Sequence, residues 1–167
     1  MKTLLSLLAG ALMISSAVQA ANLPAPTGDV VLVVTGNIKN TNKGDSAEFD
    51  MEMLEGLTEI SKTLETPWTE GTTAFSGPQL RAVLEEVGAR GSKLIVKALN
   101  DYSAVVPVED AEDFDTMLAT KMNGDYMSVR DKGPLFLVYP FDTNPELFNE
   151  KYFSRSVWQI REVEVVE

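Results

Sequence analysis

The mixture of periodicities along the chain constrains its fold more than any motif does. Short β-branched or alternating runs recur throughout, and one stretch alone carries the spacing of an amphipathic helix. Residues 30–34 are a continuous apolar run closed by Thr35-Gly36, the pattern of a buried strand. Residues 39–45 are polar, contain Gly44 and read as a hairpin turn. Phe49, Met51 and Met53 alternate with Asp50 and Glu52, which predicts a half-buried strand, and residues 54–60 a helical turn. Further strands are predicted at 62–66, 93–99, 104–108, 135–139 and, as a long terminal strand, 156–166. Residues 117–122 read as strand because Asn123-Gly124, a tight-turn pair, follows them. The helical pattern is Leu80, Val83, Leu84 and Val87, at i, i+3, i+4 and i+7. Ser76-Gly77-Pro78 opens it, with Pro78 at the first helical position, and Gly88 supplies the stop. Strands and helices intermix without βαβ alternation, so the predicted class is α+β: a single domain with a mixed β-sheet.

The first twenty residues are expected to lie outside that domain. Lys2 precedes a mostly apolar, uncharged stretch from 4 to 18, and Val18-Gln19-Ala20 is a small-x-small cleavage site, which together read as a cleavable signal peptide. A membrane anchor is the alternative, but the stretch is short of the roughly 20 apolar residues that a span needs. The expected organisation is a signal at 1–20 and one domain at 21–167, exported to a bacterial periplasm.

The chemistry open to the chain is narrowed by two zeros: it has no cysteine and no histidine. Ser-His-Asp and Cys-His machinery, disulfides and Cys/His zinc sites are therefore excluded. Twenty-five acidic against 14 basic residues give a formal charge of −11, which argues against nucleic acid and against direct attraction to anionic lipid. The densest acidic run, Glu109-Asp110 through Glu112-Asp113 to Asp115, lacks the spacing and glycine of a calcium loop. It is expected to be a short helix with an acid-rich first turn and a solvated face. No glycine pattern makes a dinucleotide fingerprint or P-loop, and no serine sits in a nucleophile elbow. From motifs alone, catalysis has no support.

Aromatic and polar residues do gather at the predicted strand ends and loops: Thr66-Pro67-Trp68, Asn100-Asp101-Tyr102, Tyr139-Pro140-Phe141-Asp142, and Ser154 through Gln159 around Trp158. Binding groups favour loops held by a rigid sheet. Planar rings beside carboxylates and hydroxyls suit a flat heterocycle, stacked on its faces and hydrogen-bonded at its edge. The competing reading makes Trp68 and Trp158 core residues and gives Asp101 and Asp142 ordinary turn roles.

From about residue 57 to 166 these segments resemble the molybdopterin-binding domain of the sulfite-oxidase family. The resemblance rests on Trp68, on Phe75-Ser76-Gly77-Pro78-Gln79-Leu80-Arg81 with Leu84, and on Asn100-Asp101-Tyr102 where the family usually has Asp-Gly-Tyr. Val106-Pro107-Val108, Met122-Asn123-Gly124, Gly133-Pro134-Leu135, Tyr139-Pro140 and Ser156-Val157-Trp158-Gln159 continue the order. The family's enzymes ligate molybdenum through one cysteine; the resemblance puts that position near residues 64–66, where none stands. Its histidines and most of its phosphate-binding arginines are also missing, with Arg155, Arg130 and Lys132 the candidate replacements.

The resemblance therefore implies a pterin pocket without the metal. The implied function is a non-catalytic periplasmic protein that binds free pterin and reports it to a membrane-bound signalling partner, a cyclic-di-GMP enzyme or a histidine kinase. No covalent cofactor is expected, nor a complete molybdenum cofactor. The expected ligand-binding residues follow from pterin chemistry. Asp101 and Asp142 would accept the adjacent N–H donors of the amino-pyrimidinone edge, and Trp68, Tyr102, Tyr139 and Trp158 would stack on the ring. Thr66, Ser154, Arg155 and Ser156 would meet the carbonyl and side chain. The alternatives are a molybdenum oxidoreductase with a non-cysteine ligand, and an interaction module without a small-molecule ligand.

Overall fold

A computed structural model describes residues 23–167; the expected signal peptide lies outside the described residues. The chain begins with β1 (Leu32–Gly36) and β2 (Ala47–Phe49), a hairpin whose turn includes the Lys43–Ser46 bridge. Helix α1 (Met51–Glu55) follows, then the hairpin β3 (Glu59–Glu65) and β4 (Thr72–Pro78), then α2 (Leu80–Glu86). A second long hairpin, β5 (Lys93–Ala98) and β6 (Ser103–Pro107), leads into the one-turn helix α3 (Glu109–Glu112). The remainder is β7 (Met117–Ala119), β8 (Lys121–Met122), β9 (Asp125–Tyr126), β10 (Phe136–Val138), α4 (Glu150–Arg155) and β11 (Ile160–Val166).

The strands form a five-stranded sheet in the order β2-β1-β11-β5-β6, a four-stranded sheet β3-β4-β8-β9, and a two-stranded pair β10-β7. The first sheet is mixed because β1 runs parallel to β11 while its other pairs are antiparallel. Alternation decides its inner face: Leu32, Val34, Leu94, Val96, Val106, Val163 and Val165 are buried, while on the other side Lys97 pairs with both Glu162 and Glu164. The core continues through Phe75, Leu80, Val83, Met117, Leu118, Phe136 and Leu137. Among the described residues no helix is long and apolar enough to cross a membrane.

Four expectations needed correction. The alternation at Phe49, Met51 and Met53 does not make a strand beyond Phe49; Met51–Glu55 is helical. Asp50 explains this, because one carboxylate oxygen accepts the Met53 amide at the helix N-cap while the other accepts the Thr27 and Gly28 amides. Ser76-Gly77-Pro78 does not open α2 but ends β4, with Pro78 opposite Glu59 and Gln79 as the N-cap of α2. Gly77 is needed there: a Cβ would meet the Leu118 carbonyl and come within 2.8 Å of the Thr120 amide nitrogen, so only glycine lets β4 lie this close to the β7 segment. The last strand starts at Ile160 rather than at 156, because α4 and a turn through Gln159 (φ 54°) occupy the preceding residues. Finally, Asp110 in the acidic run is 5% exposed rather than solvated. Gly88, in contrast, stands just past α2 with φ 60°, as its stop role predicts.

Candidate functional site

The site is assembled from the segment after β3, the β5–β6 turn, and α4 with the residues that follow it. After β3, the Thr66 hydroxyl accepts the Trp68 amide at 3.2 Å and bonds the Thr69 hydroxyl at 2.8 Å, a local turn that sets the direction of Trp68. The Trp68 ring meets Phe136, Phe153 and Trp158 edge to face, with centroids 5.6–5.8 Å apart. Trp158 is held by a bridge to Phe136 in β10, and the neighbouring Val157 carbonyl accepts the Leu137 amide. In the β5–β6 turn the Asn100 side-chain oxygen accepts the Tyr102 amide, and the Tyr102 hydroxyl donates to the Ser154 carbonyl of α4 at 2.9 Å. Asn149 caps α4 by accepting the Lys151 amide.

These elements enclose an open cavity of about 380 Å³, within the range of small-molecule sites. Of the residues expected at a site, Trp68, Tyr102, Ser154, Ser156 and Trp158 line it. Ala98, Asn100, Glu150, Phe153 and Val157 complete the lining and are not among the residues expected to touch a ligand. Phe153 and Glu150 sit on a six-residue helix with no amphipathic period to announce it, whereas Asn100 lay within a motif already singled out. Glu150 is the carboxylate among the lining residues.

The other five expected residues are placed elsewhere. Thr66 is buried outside the lining and acts through its turn. Asp101, at φ 65°, is an exposed turn residue paired with Arg161 at 3.1 Å, and Asp142 lies 4.0 Å from Lys62. Both therefore have the turn or surface roles weighed against binding. Tyr139 is fully buried and cannot present a ring to a cavity ligand; its hydroxyl donates to Asp110 at 2.7 Å. Burial, then the bond to Asp110, pushes its phenol well above the ordinary tyrosine value. Arg155 is spent on the same carboxylate, its Nη1 2.8 Å from Asp110 Oδ2, and lies over the Tyr152 ring.

A family model described as the oxidoreductase molybdopterin binding domain matches residues 39–166, and the chain belongs to that family. Among solved structures, the sulfane dehydrogenase SoxCD from Paracoccus pantotrophus superimposes with a TM-score of 0.60 at 20% identity, over 81% of this chain and 37% of that one. That likeness shows the fold, which is the sulfite-oxidase type, and the chain spans little more than a third of the dehydrogenase chain. No curated protein matches.

The donor set does not fit the family's metal cofactor. The chain has no cysteine to supply the thiolate. In the segment where the resemblance puts that ligand, Leu64 is an apolar core residue and the Thr66 hydroxyl is bonded to its own turn. Among the described residues no group of three carboxylate, histidine or cysteine side chains could hold a metal ion. The cavity lining contains no lysine or arginine for a phosphate, and Arg155 is committed to Asp110.

Proposed function

We propose that this protein is a non-catalytic binder of a free pterin, with the heterocycle held in the cavity among Trp68, Tyr102, Phe153 and Trp158. The observation that carries the reading is a cavity, in a molybdopterin-binding family member, whose walls are aromatic and whose lining lacks both thiolate and cation. Aromatic contacts of this kind contribute about 0.5–1.5 kcal/mol each beyond the area they bury. The Glu150 carboxylate accepts the adjacent N–H donors of the amino-pyrimidinone edge, the role first assigned to Asp101 and Asp142. The Ser154 and Ser156 hydroxyls, which donate to the Lys151 and Tyr152 carbonyls at 2.8 Å, are left to accept from a ring N–H or from the side chain.

The protein works in the periplasm after removal of residues 1–20, and passes the bound state to the periplasmic domain of a membrane-bound signalling protein. Support for this part comes from the signal-like N-terminus. Thermal unfolding of the mature protein with a reduced pterin tests the binding reading. The ligand should raise the melting temperature, and Trp158→Phe or Glu150→Gln should diminish the rise. No shift with any pterin at millimolar concentration rejects it. Stoichiometric molybdenum in protein exported from a cofactor-competent host would favour an oxidoreductase instead.

A further inference from the structure

We propose that the cavity selects its ligand by charge: it takes an uncharged or protonated heterocycle and turns away the same heterocycle once it carries a phosphate. Glu150 is the residue that determines this specificity. The inference rests on the reading of the cavity as a heterocycle site and adds the class of ligand it admits. Among the lining residues Glu150 carries the formal charge; the rest are aromatic, aliphatic, amide or hydroxyl groups. The Tyr102 hydroxyl is donated to the Ser154 carbonyl, and the Asn100 oxygen is taken by the Tyr102 amide, leaving the Asn100 amide nitrogen as a donor to a ring carbonyl. Such a set complements an edge rich in N–H groups and offers a dianion no positive charge.

The nearest guanidinium along α4 cannot be recruited cheaply. Arg155 is bound to Asp110, whose side chain is only 7% exposed and also receives the Tyr139 hydroxyl. Swinging Arg155 towards a phosphate would leave that carboxylate buried without its cation. A phosphate monoester brings roughly −1.5 to −2 charges at neutral pH. The protein's net charge of −11 opposes it at long range as well, an effect that salt screens over about 10 Å at 0.1 M.

Calorimetric titration of the wild type, Glu150→Gln and Glu150→Lys with neopterin and neopterin 3′-phosphate tests this at low and high salt. For the wild type at low salt the phosphate ester should bind roughly fourfold more weakly, the size expected for a dianion about 10 Å from one carboxylate in water, since the bicyclic ring separates the side-chain phosphate from the edge that Glu150 accepts. High salt or Glu150→Gln should close most of that gap, and Glu150→Lys should reverse it. Equal or tighter binding of the ester to the wild type, or a gap that Glu150→Gln leaves unchanged, overturns the charge selection while the pterin reading stands. Binding of neither compound overturns both.

Discussion

Arg155 and Asp110 lie forty-five residues apart in sequence and meet at 2.8 Å, joining the last residue of α4 to the short helix α3. Asp110 Oδ2 is also the acceptor for Tyr139, so one buried carboxylate oxygen collects a guanidinium and a phenol. Helix α4 supplies Glu150, Phe153 and Ser154 to the cavity, and this ion pair ties it to the rest of the molecule together with the Tyr102–Ser154 hydrogen bond and the ring contacts of Phe153 with Trp68 and of Tyr152 with Tyr139. The arginine thus supports the cavity wall from outside the cavity.

Replacing that arginine should therefore be costly. Arg155→Met leaves Asp110 buried with the tyrosine hydroxyl as its side-chain partner, and breaking a buried pair from one side costs about 3 kcal/mol or more. Urea unfolding should show this loss. Adding Asp110→Ala to Arg155→Met should cost less than the sum of the two single changes, since the orphaned charge is gone.

The Tyr139 phenol gives an alkaline signature. Burial and Asp110 raise its folded value, so below about pH 10 both folded and unfolded states keep the proton and the stabilisation is complete. Above that pH the unfolded chain releases the proton and the folded one does not, so stability falls as pH rises, by up to about 1.4 kcal/mol per pH unit for this group. Tyr139→Phe should flatten the alkaline limb of a stability profile. At neutral pH it should lower stability by about 1–2 kcal/mol through the weakened satisfaction of Asp110.

Asp50 gives the opposite limb. The amide of Gly28, then that of Met53, hold its carboxyl below the ordinary aspartate value, with the Thr27 amide and hydroxyl adding to them against the penalty of burial. Its contribution is therefore full above about pH 4 and is lost as pH falls through the lowered folded value. Melting temperatures between pH 2 and pH 5 should fall less steeply for Asp50→Asn than for the wild type. The variant should also start lower at neutral pH, because α1 loses its cap and the lead-in at Thr27-Gly28 loses its anchor.

Much of the architecture was legible. The β-branched runs of β1, β5 and β6, the Leu80/Val83/Leu84/Val87 face of α2 and the Asn123-Gly124 turn each carry their own local pattern, and the five-stranded sheet needs little more. Strand β4 was missed because Thr-Thr-Ala-Phe-Ser-Gly-Pro is small and polar; it is held as strand by β3 on one side and β8 on the other. At the site, Trp68, Tyr102 and Trp158 were found because aromatics at loop positions stand out. Glu150 was not, since one acidic residue on a six-residue helix looks like any other surface carboxylate. Arg155 and Tyr139 look like ligand contacts in the sequence because their shared partner, Asp110, sits in an acidic run whose usual place is in water. A charge faces inward only when distant residues supply its partners, and no local pattern records that.

The two tryptophans of this chain, Trp68 and Trp158, both stand in the cavity wall with their rings 5.6 Å apart. The intrinsic indole emission of the whole protein therefore arises at that wall, from a pair close enough to share excitation. The molecule carries its own optical gauge: any compound that settles against those rings must alter the colour or yield of the only indole light it emits, with no label attached.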